Sequence, residues 1–238
     1  MMLRSIFITG TSSGLGNGFA RCYLEKQWQV YGISRRISDE FIANPNFHFQ
    51  SLDLTEFDRI PTVLDKLLLH EQRIDVVILN AGVIGTIGDL IETDIPELKQ
   101  VMDINLWANK IILDYLLKDR FKPDQIILIS SGAAVNGNRG WGGYSLSKAA
   151  LNMLAKLYAQ EFPQLHFTAL APGLVDTPMQ DYLCECADET RFPSVKVLKA
   201  ARNTPAMPKP EDAARTIISL FPKLLSYESG SFVDIRKI

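Results

Sequence analysis

The 238-residue sequence is short of several things that would mark a protein for particular surroundings. No apolar run approaches the roughly 18 residues that a membrane-spanning helix needs. The first ten residues offer only Ile6-Phe7-Ile8 as an apolar stretch, without the long apolar region and small-residue cleavage site of a secretory signal. There are 3 cysteines, Cys22, Cys184 and Cys186, which cannot form an even disulfide framework. Cys184 and Cys186 form a C-x-C pair with no histidine or further cysteine nearby, so no metal site is expected. Reduced thiols in a cytoplasmic protein are the expectation instead. Lys and Arg number 25 against 27 Asp and Glu, a net charge of −2, so no strong field exists to recruit nucleic acid or an anionic membrane. Repeats, low-complexity tracts and charge blocks are missing too.

What is present is the material of a large single core: 47% hydrophobic and 22% charged residues, with 15 Gly and 12 Pro. Apolar runs of strand length at Leu3–Thr9, Trp28–Ser34, Phe47–Ser51, Ile74–Leu79, Gln125–Ser130 and Leu165–Ala171 alternate with helix-period segments. The latter are Leu15–Gln27, Glu56–His70, Pro96–Leu117 and Tyr144–Phe162. Strands apolar throughout and separated by helices imply a parallel sheet covered on both faces. The expected fold is therefore α/β, a doubly wound, mostly parallel sheet of Rossmann type, in one domain over residues 1–238. Residues 176–210, rich in Pro, Cys, Arg and Lys, break the rhythm and read as a substrate flap. A helix at Glu211–Phe221 and a last strand at Ser231–Ile235 follow.

The first strand runs into Thr9-Gly10-Thr11-Ser12-Ser13-Gly14-Leu15-Gly16 and then a helix. Glycines at such a junction let the backbone approach a pyrophosphate, and the helix N-terminus offers free N–H groups and the positive end of its dipole. The alternative is a tight turn only; the position after the first strand favours dinucleotide binding. A nicotinamide adenine dinucleotide site would place an acid about 20 residues on, for the ribose hydroxyls. Here the second strand ends Ser34-Arg35-Arg36, and the first acid is Asp39. Arginine binds a 2′-phosphate that an acid would repel, which points to NADP(H) with Ser34, Arg35 and Arg36 as readers. For Arg36 a solvated surface position is the alternative.

Tyr144-Ser145-Leu146-Ser147-Lys148 is the only Y-x-x-x-K in the chain, a spacing that puts both side chains on one helix face. A phenol titrates at about 10, and useful acid–base work near neutrality asks for about 4 kcal/mol of help. One charge about 4 Å away supplies about 1 kcal/mol in water and about 4 at an effective dielectric of 20. The pair can therefore work only in a desolvated cleft. Ser131 precedes Tyr144 by 13 residues, with Ser130 as its neighbouring candidate. Asn105 falls on the apolar stripe Leu98, Val101, Met102, Leu106 of its helix, where a buried amide must find partners.

The T-G-x-x-x-G-x-G spacing resembles the short-chain dehydrogenase/reductase family, and the resemblance extends over nearly the whole chain. It implies cofactor contacts at Gly10, Ser12, Ser13, Gly14, Leu15 and Gly16, at Asp53-Leu54 for adenine, and at the Asn80-Ala81-Gly82 turn, where Leu79 stands in place of a common second Asn. The Pro172-Gly173 turn, with Val175 and Thr177 after it, resembles the family's nicotinamide-binding segment. In the family Ser131 would orient a substrate carbonyl and Tyr144 protonate it. Lys148 would lower the Tyr144 pKa and bind the nicotinamide ribose, and Asn105 would hold a water of a proton relay.

Ser34-Arg35-Arg36, Gly140-Trp141-Gly142-Gly143-Tyr144, Val175–Gln180 and Ser229–Asp234 look like the sepiapterin reductase and benzil reductase branch, which reduces vicinal dicarbonyls. The expected substrate is a small-molecule carbonyl, bordered by Arg139, Trp141, Met179 and Tyr182. An acyl-carrier ketone, a sugar, a simple alcohol, or a non-catalytic NADP-sensing role stay open at this point. The family also implies a homodimer or homotetramer, through the helices matching Pro96–Leu117 and Tyr144–Phe162.

Overall fold

The computed structural model describes residues 4–118 and 120–238, without the side chain of Cys186. Leu3, where the first strand was expected to begin, lies outside the described residues. Seven strands form one sheet in the order β3-β2-β1-β4-β5-β6-β7, every pair parallel. They are β1 (Ser5–Thr9), β2 (Gln29–Ser34), β3 (Phe47–Ser51), β4 (Val76–Leu79), β5 (Gln125–Ile129), β6 (Phe167–Ala171) and β7 (Ser231–Asp234).

Strand alternation decides which side chain meets which layer. Phe7 of β1 packs on one face among residues of α2 (Arg59–Leu67), α4 (Ala108–Leu117) and α6 (Gly142–Glu161). Ile6 and Ile8 pack on the other face, under α1 (Gly14–Glu25) and α9 (Pro210–Leu224). Both neighbours of a central strand are buried, which is why β1, β5 and β6 are buried along their whole length. α1 and α9 lie in close contact at Gly18, where a Cβ would sit 2.5 Å from the Pro210 carbonyl oxygen.

Two regions depart from the expected pattern. The helix expected at Pro96–Leu117 is α3 (Ile95–Met102), a π-helical turn at Asp103–Trp107, and α4. The extra residue of a π turn shifts the side chains that follow and is common at functional sites. The stretch 176–210 is also less irregular than expected. It contains α7 (Pro178–Cys186) and α8 (Pro193–Ala201), each with proline in its first turn. At nine residues apiece, they are too short to show a clear period. A short helix, α5 (Ala133–Asn136), follows β5.

The tight α1–α9 seam yields a stability prediction. Gly18→Ala gains about 1 kcal/mol of helix propensity but overpacks a backbone contact, at a cost of about 1–3 kcal/mol or more. Urea unfolding should show a net loss, whereas Gly88→Ala, with nothing within 4 Å of the added Cβ, should change stability by no more than about 0.5 kcal/mol.

Candidate active site

The strand order reverses between β1 and β4, and there a cleft of about 890 Å³ opens along the carboxyl ends of the strands. The segments following all seven strands contribute to its wall, from Arg35 after β2 to Arg236 after β7. The loop after β1 is shaped by Gly10 and Gly14, at φ values of 77° and 59° that favour glycine. Gly16 does not face the cleft. A Cβ there would lie 2.2 Å from the Gly10 carbonyl oxygen and 2.4 Å from Asn80 Nδ2, so it is the position that lets α1 start against the loop.

Asn80 and Thr9 lock the β1 and β4 ends together. Thr9 Oγ1 accepts from the backbone N–H groups of Asn80 and Ala81, both at 2.9 Å, and Asn80 Nδ2 donates to the Thr9 carbonyl oxygen at 3.1 Å. Thr9 is the threonine that opens the T-G-x-x-x-G-x-G spacing, and its buried hydroxyl is the fastening between the two strand ends.

Ser12, Ser13, Leu15, Ser34, Arg35, Asp53, Leu54, Ala81 and Gly82 also line this end. Arg35 is exposed and close enough to Asp53 to help lower the carboxyl pKa, although hydrogen bonds from Thr55 do more. Arg36 is not in the wall. It is exposed, and its carbonyl oxygen accepts from Ser34 Oγ at 2.7 Å, which is the surface position left open above.

The other expected residues meet at the floor. Tyr144 and Lys148, one turn apart on α6, are 9% and 3% exposed. Lys148 Nζ donates to the Ile129 carbonyl oxygen at 2.7 Å and lies 5.7 Å from the centre of the Tyr144 ring. Burial pulls the Lys148 pKa down to about 8. Burial raises the Tyr144 pKa, and the Ser131 hydroxyl beside it works in the opposite direction. Ser130 is turned away, its hydroxyl donating to Asn152 Oδ1 at 2.5 Å. Of the two serines, Ser131 is the one whose hydroxyl lies beside the Tyr144 phenol.

Asn105 is fully buried behind this floor, outside the cleft wall, at the middle of the π turn. Its Oδ1 accepts from the Val83 N–H at 2.8 Å, and its Nδ2 donates to the Val83 carbonyl oxygen at 2.8 Å and to Ser147 Oγ at 2.9 Å. The amide therefore ties the β4 loop to α6. A Cβ on Gly82 would touch both Asn105 Oδ1, at 3.1 Å, and Lys148 Nζ, at 3.3 Å.

Pro172, Gly173, Val175 and Thr177 line the cleft after β6, and α7 and α8 cover it. Trp141 is in the wall, its Nε1 donating to Ser194 Oγ of α8 at 2.7 Å. Tyr182 borders a neighbouring shallow hollow instead, with Gly82–Gly85 and Met179. Arg139 faces outward and forms a two-pronged ion pair with Asp89, which also binds Arg191 from the segment between α7 and α8. Asn136 and Arg236, in the wall on the Ser131 side, were not anticipated. Neither belongs to a spaced motif.

A family model described as short chain dehydrogenase matches residues 4–186. Benzil reductase ((S)-benzoin forming) of Bacillus cereus is 32% identical over 235 residues, covering 92% of this chain and 94% of its own. A short chain dehydrogenases/reductase structure from Saccharomyces cerevisiae superposes with a TM-score of 0.85 over 97% of this chain and 95% of that one, at 24% identity. The structure of ElxO with NADP bound has a TM-score of 0.79, over 98% and 97% of the two chains, also at 24% identity. The chain is an oxidoreductase and belongs to the short-chain dehydrogenase family.

Proposed function

We propose that the protein reduces a small-molecule carbonyl, a vicinal diketone or aryl ketone, to an alcohol with NADPH. The observation that carries this reading is the meeting of Ser131, Tyr144 and Lys148 on one desolvated floor, with Asn105 bonded behind it. The name of the Bacillus cereus relative supports the diketone, and ElxO, solved with NADP bound, supports the cofactor.

The chain's own geometry fits a dinucleotide. Its glycine loop lines the cleft at the start of α1, packed so closely that a Cβ at Gly10 would lie 3.0 Å from Asn80 Nδ2 and Ala81 Cα, and Arg35 offers a guanidinium for a 2′-phosphate. Gly10–Leu15, Asp53-Leu54 and Asn80–Gly82 would hold the adenine half, and Pro172–Thr177 the nicotinamide half. When bound, NADPH supplies the hydride that the carbonyl carbon gains.

The side chains do the rest. Ser131 Oγ donates a hydrogen bond to the carbonyl oxygen and fixes it beside Tyr144. The Tyr144 hydroxyl gives its proton to that oxygen as negative charge develops there. Its raised pKa keeps it protonated at neutral pH, the form a proton donor needs. Lys148 holds a positive charge next to the phenol and eases the proton's departure, and Asn105 holds the π turn and α6 in register for proton resupply. The half-exposed apolar side chains of Trp107, Leu146, Met153 and Leu157, the last three on one face of α6, support association into a homodimer or homotetramer.

Three measurements test this reading. Tyr144→Phe should bind NADPH near normally by fluorescence titration while carbonyl turnover falls by about 10³-fold or more; retained turnover would remove Tyr144 from the chemistry. Arg35→Ala should weaken NADPH binding about 10–100-fold and leave NADH binding within about 3-fold, as expected for lost charge-assisted bonds to one phosphate.

The third measurement concerns pH. Lys148 titrates at about 8 in the folded chain against 10.5 ordinarily, so between these values the unfolded chain binds more protons. The burial penalty is complete below pH 8 and gone above 10.5. Relative to Lys148→Met, the unfolding free energy of the wild type should therefore rise across this window, by about 3 kcal/mol at most. A flat difference would mean that Lys148 is not buried as a cation.

A further inference from the structure

We propose that Arg236, with Asn136 beside it, is a specificity-determining pair that holds a second oxygen of the substrate, next to the carbonyl being reduced. This rests on the carbonyl-reductase reading and deepens it: the substrate class becomes a ketone with an adjacent oxygen acceptor, a 1,2-dicarbonyl or a 2-oxo acid.

The geometry begins at the end of β7. Asp234 is buried, and its carboxylate takes a two-pronged ion pair from Arg236, Nε to Oδ1 at 2.9 Å and Nη2 to Oδ2 at 2.6 Å. This fork fixes the guanidinium plane and leaves its Nη1 end unused; among the described residues no acceptor meets it. The stem of Arg236 runs across the turn after β6, where a Cβ on Gly173 would lie 3.6 Å from both Cγ and Cδ. The head ends against the loop after β5. A Cβ on Gly132 would sit 3.0 Å from Arg236 Nη2 and 3.4 Å from Asn136 Nδ2. Gly132 is the residue next to Ser131, so two nitrogen donors converge one residue from the hydroxyl proposed to orient the reacting carbonyl. Ser131, Gly132, Asn136 and Arg236 all line the cleft.

Three features set this pair apart from the phosphate-binding end of the dinucleotide cradle. Arg35 follows β2 and Arg236 follows β7, five strand spacings away in the sheet, about 24 Å at about 4.8 Å each. The phosphate-binding glycines lie after β1, on the Arg35 side of the floor. Arg236 Nη1 and Asn136 Nδ2, for which no acceptor is found among the described residues, suit a ligand oxygen, and an arginine anchored through Nε and Nη2 by one carboxylate presents its free edge without the cost of ordering a free side chain. A ketone without a second oxygen would give up this charge-assisted hydrogen bond, which sets the preference between otherwise similar substrates.

Three aryl ketones differing only beside the shared carbonyl test the proposal: 1-phenylpropane-1,2-dione, propiophenone and phenylglyoxylate. Their affinities for the NADP⁺-saturated protein, read by calorimetry, need no turnover; kcat/KM with NADPH is read separately. The wild type should favour the dione over propiophenone. Arg236→Met should lose about 10–100-fold on the dione in both readouts, with propiophenone and NADPH affinity changed by no more than about 3-fold.

Because Arg236→Met leaves Asp234 buried without its partner, the Asp234→Asn/Arg236→Gln double variant serves as the folding control, and it should show the same loss on the dione. A larger loss on phenylglyoxylate than on the dione would identify a carboxylate as the preferred neighbour, and the reverse a neutral carbonyl. Equal losses on dione and propiophenone, or a loss confined to NADPH affinity, would overturn the proposal. Tighter dione binding through Arg236 without any turnover would uphold it and sink the reductase reading instead.

Discussion

The feature on which the rest of the structure depends is the close approach of three backbone segments where β1 and β4 lie side by side. The chain leaves these strands in opposite directions, so their carboxyl ends part and a cleft forms at the divergence. Holding it in shape requires α1 to begin almost on top of the loop that precedes it, which only the bare Cα of Gly16 permits. It also requires the two strand ends to be fastened, by one hydroxyl, that of Thr9, and one amide, that of Asn80. With that junction set, the parallel sheet brings every later strand out on the same edge. Ser131, Pro172 and Arg236 reach the cleft because they are the next residues the chain has available there.

The floor of the cleft is governed by desolvation more than by pairwise attraction. Lys148 is almost completely buried and has one carbonyl oxygen, that of Ile129, as its fixed partner. Burial therefore drags its pKa toward neutrality and lifts that of Tyr144. The Lys148 ammonium is directed to Ile129 and lies 5.7 Å from the centre of the Tyr144 ring. In the chain by itself, Ser131 is the group that acts against the rise. On the proposed reading, this gives a phenol held protonated and a hydroxyl set to share the substrate oxygen with it, a pairing better matched to giving a proton than to taking one.

Much of this was legible in the sequence because it depends on local repetition. Short, wholly apolar runs forecast buried parallel strands, and the glycine spacing and Y-x-x-x-K are fixed by the pitch of a turn or a helix. The cleft wall duly contains Gly10, Ser12–Leu15, Arg35, Asp53, Ser131, Tyr144 and Lys148. What escaped was set by tertiary packing. The π turn around Asn105 adds a residue without changing the apolar stripe that the pattern shows. Helices α7 and α8 are too short for their period to stand out from the proline and charge around them. Arg236 sits in a charged tail whose meaning appears only when β7 delivers it to the cleft.

That contrast has a physical basis that also bears on what the protein can recognise. The glycine-loop end is formed by backbone and buried groups, and a single Cβ at Gly16 would be a clash. The α7–α8 end is held by ion pairs open to solvent, Asp89 with Arg139 and Arg191, and Asp181 with Arg202, together with the Trp141–Ser194 hydrogen bond. Exposed pairs contribute about 0–1 kcal/mol each and weaken with salt, so this cover can change residue by residue at little cost to the fold. Between these extremes stands the β7 end. There a buried carboxylate, Asp234, gives an exposed arginine a fixed direction. Rigid support beneath a variable head is what a specificity residue needs, because discrimination between similar substrates requires a donor that cannot swing aside when its acceptor is missing.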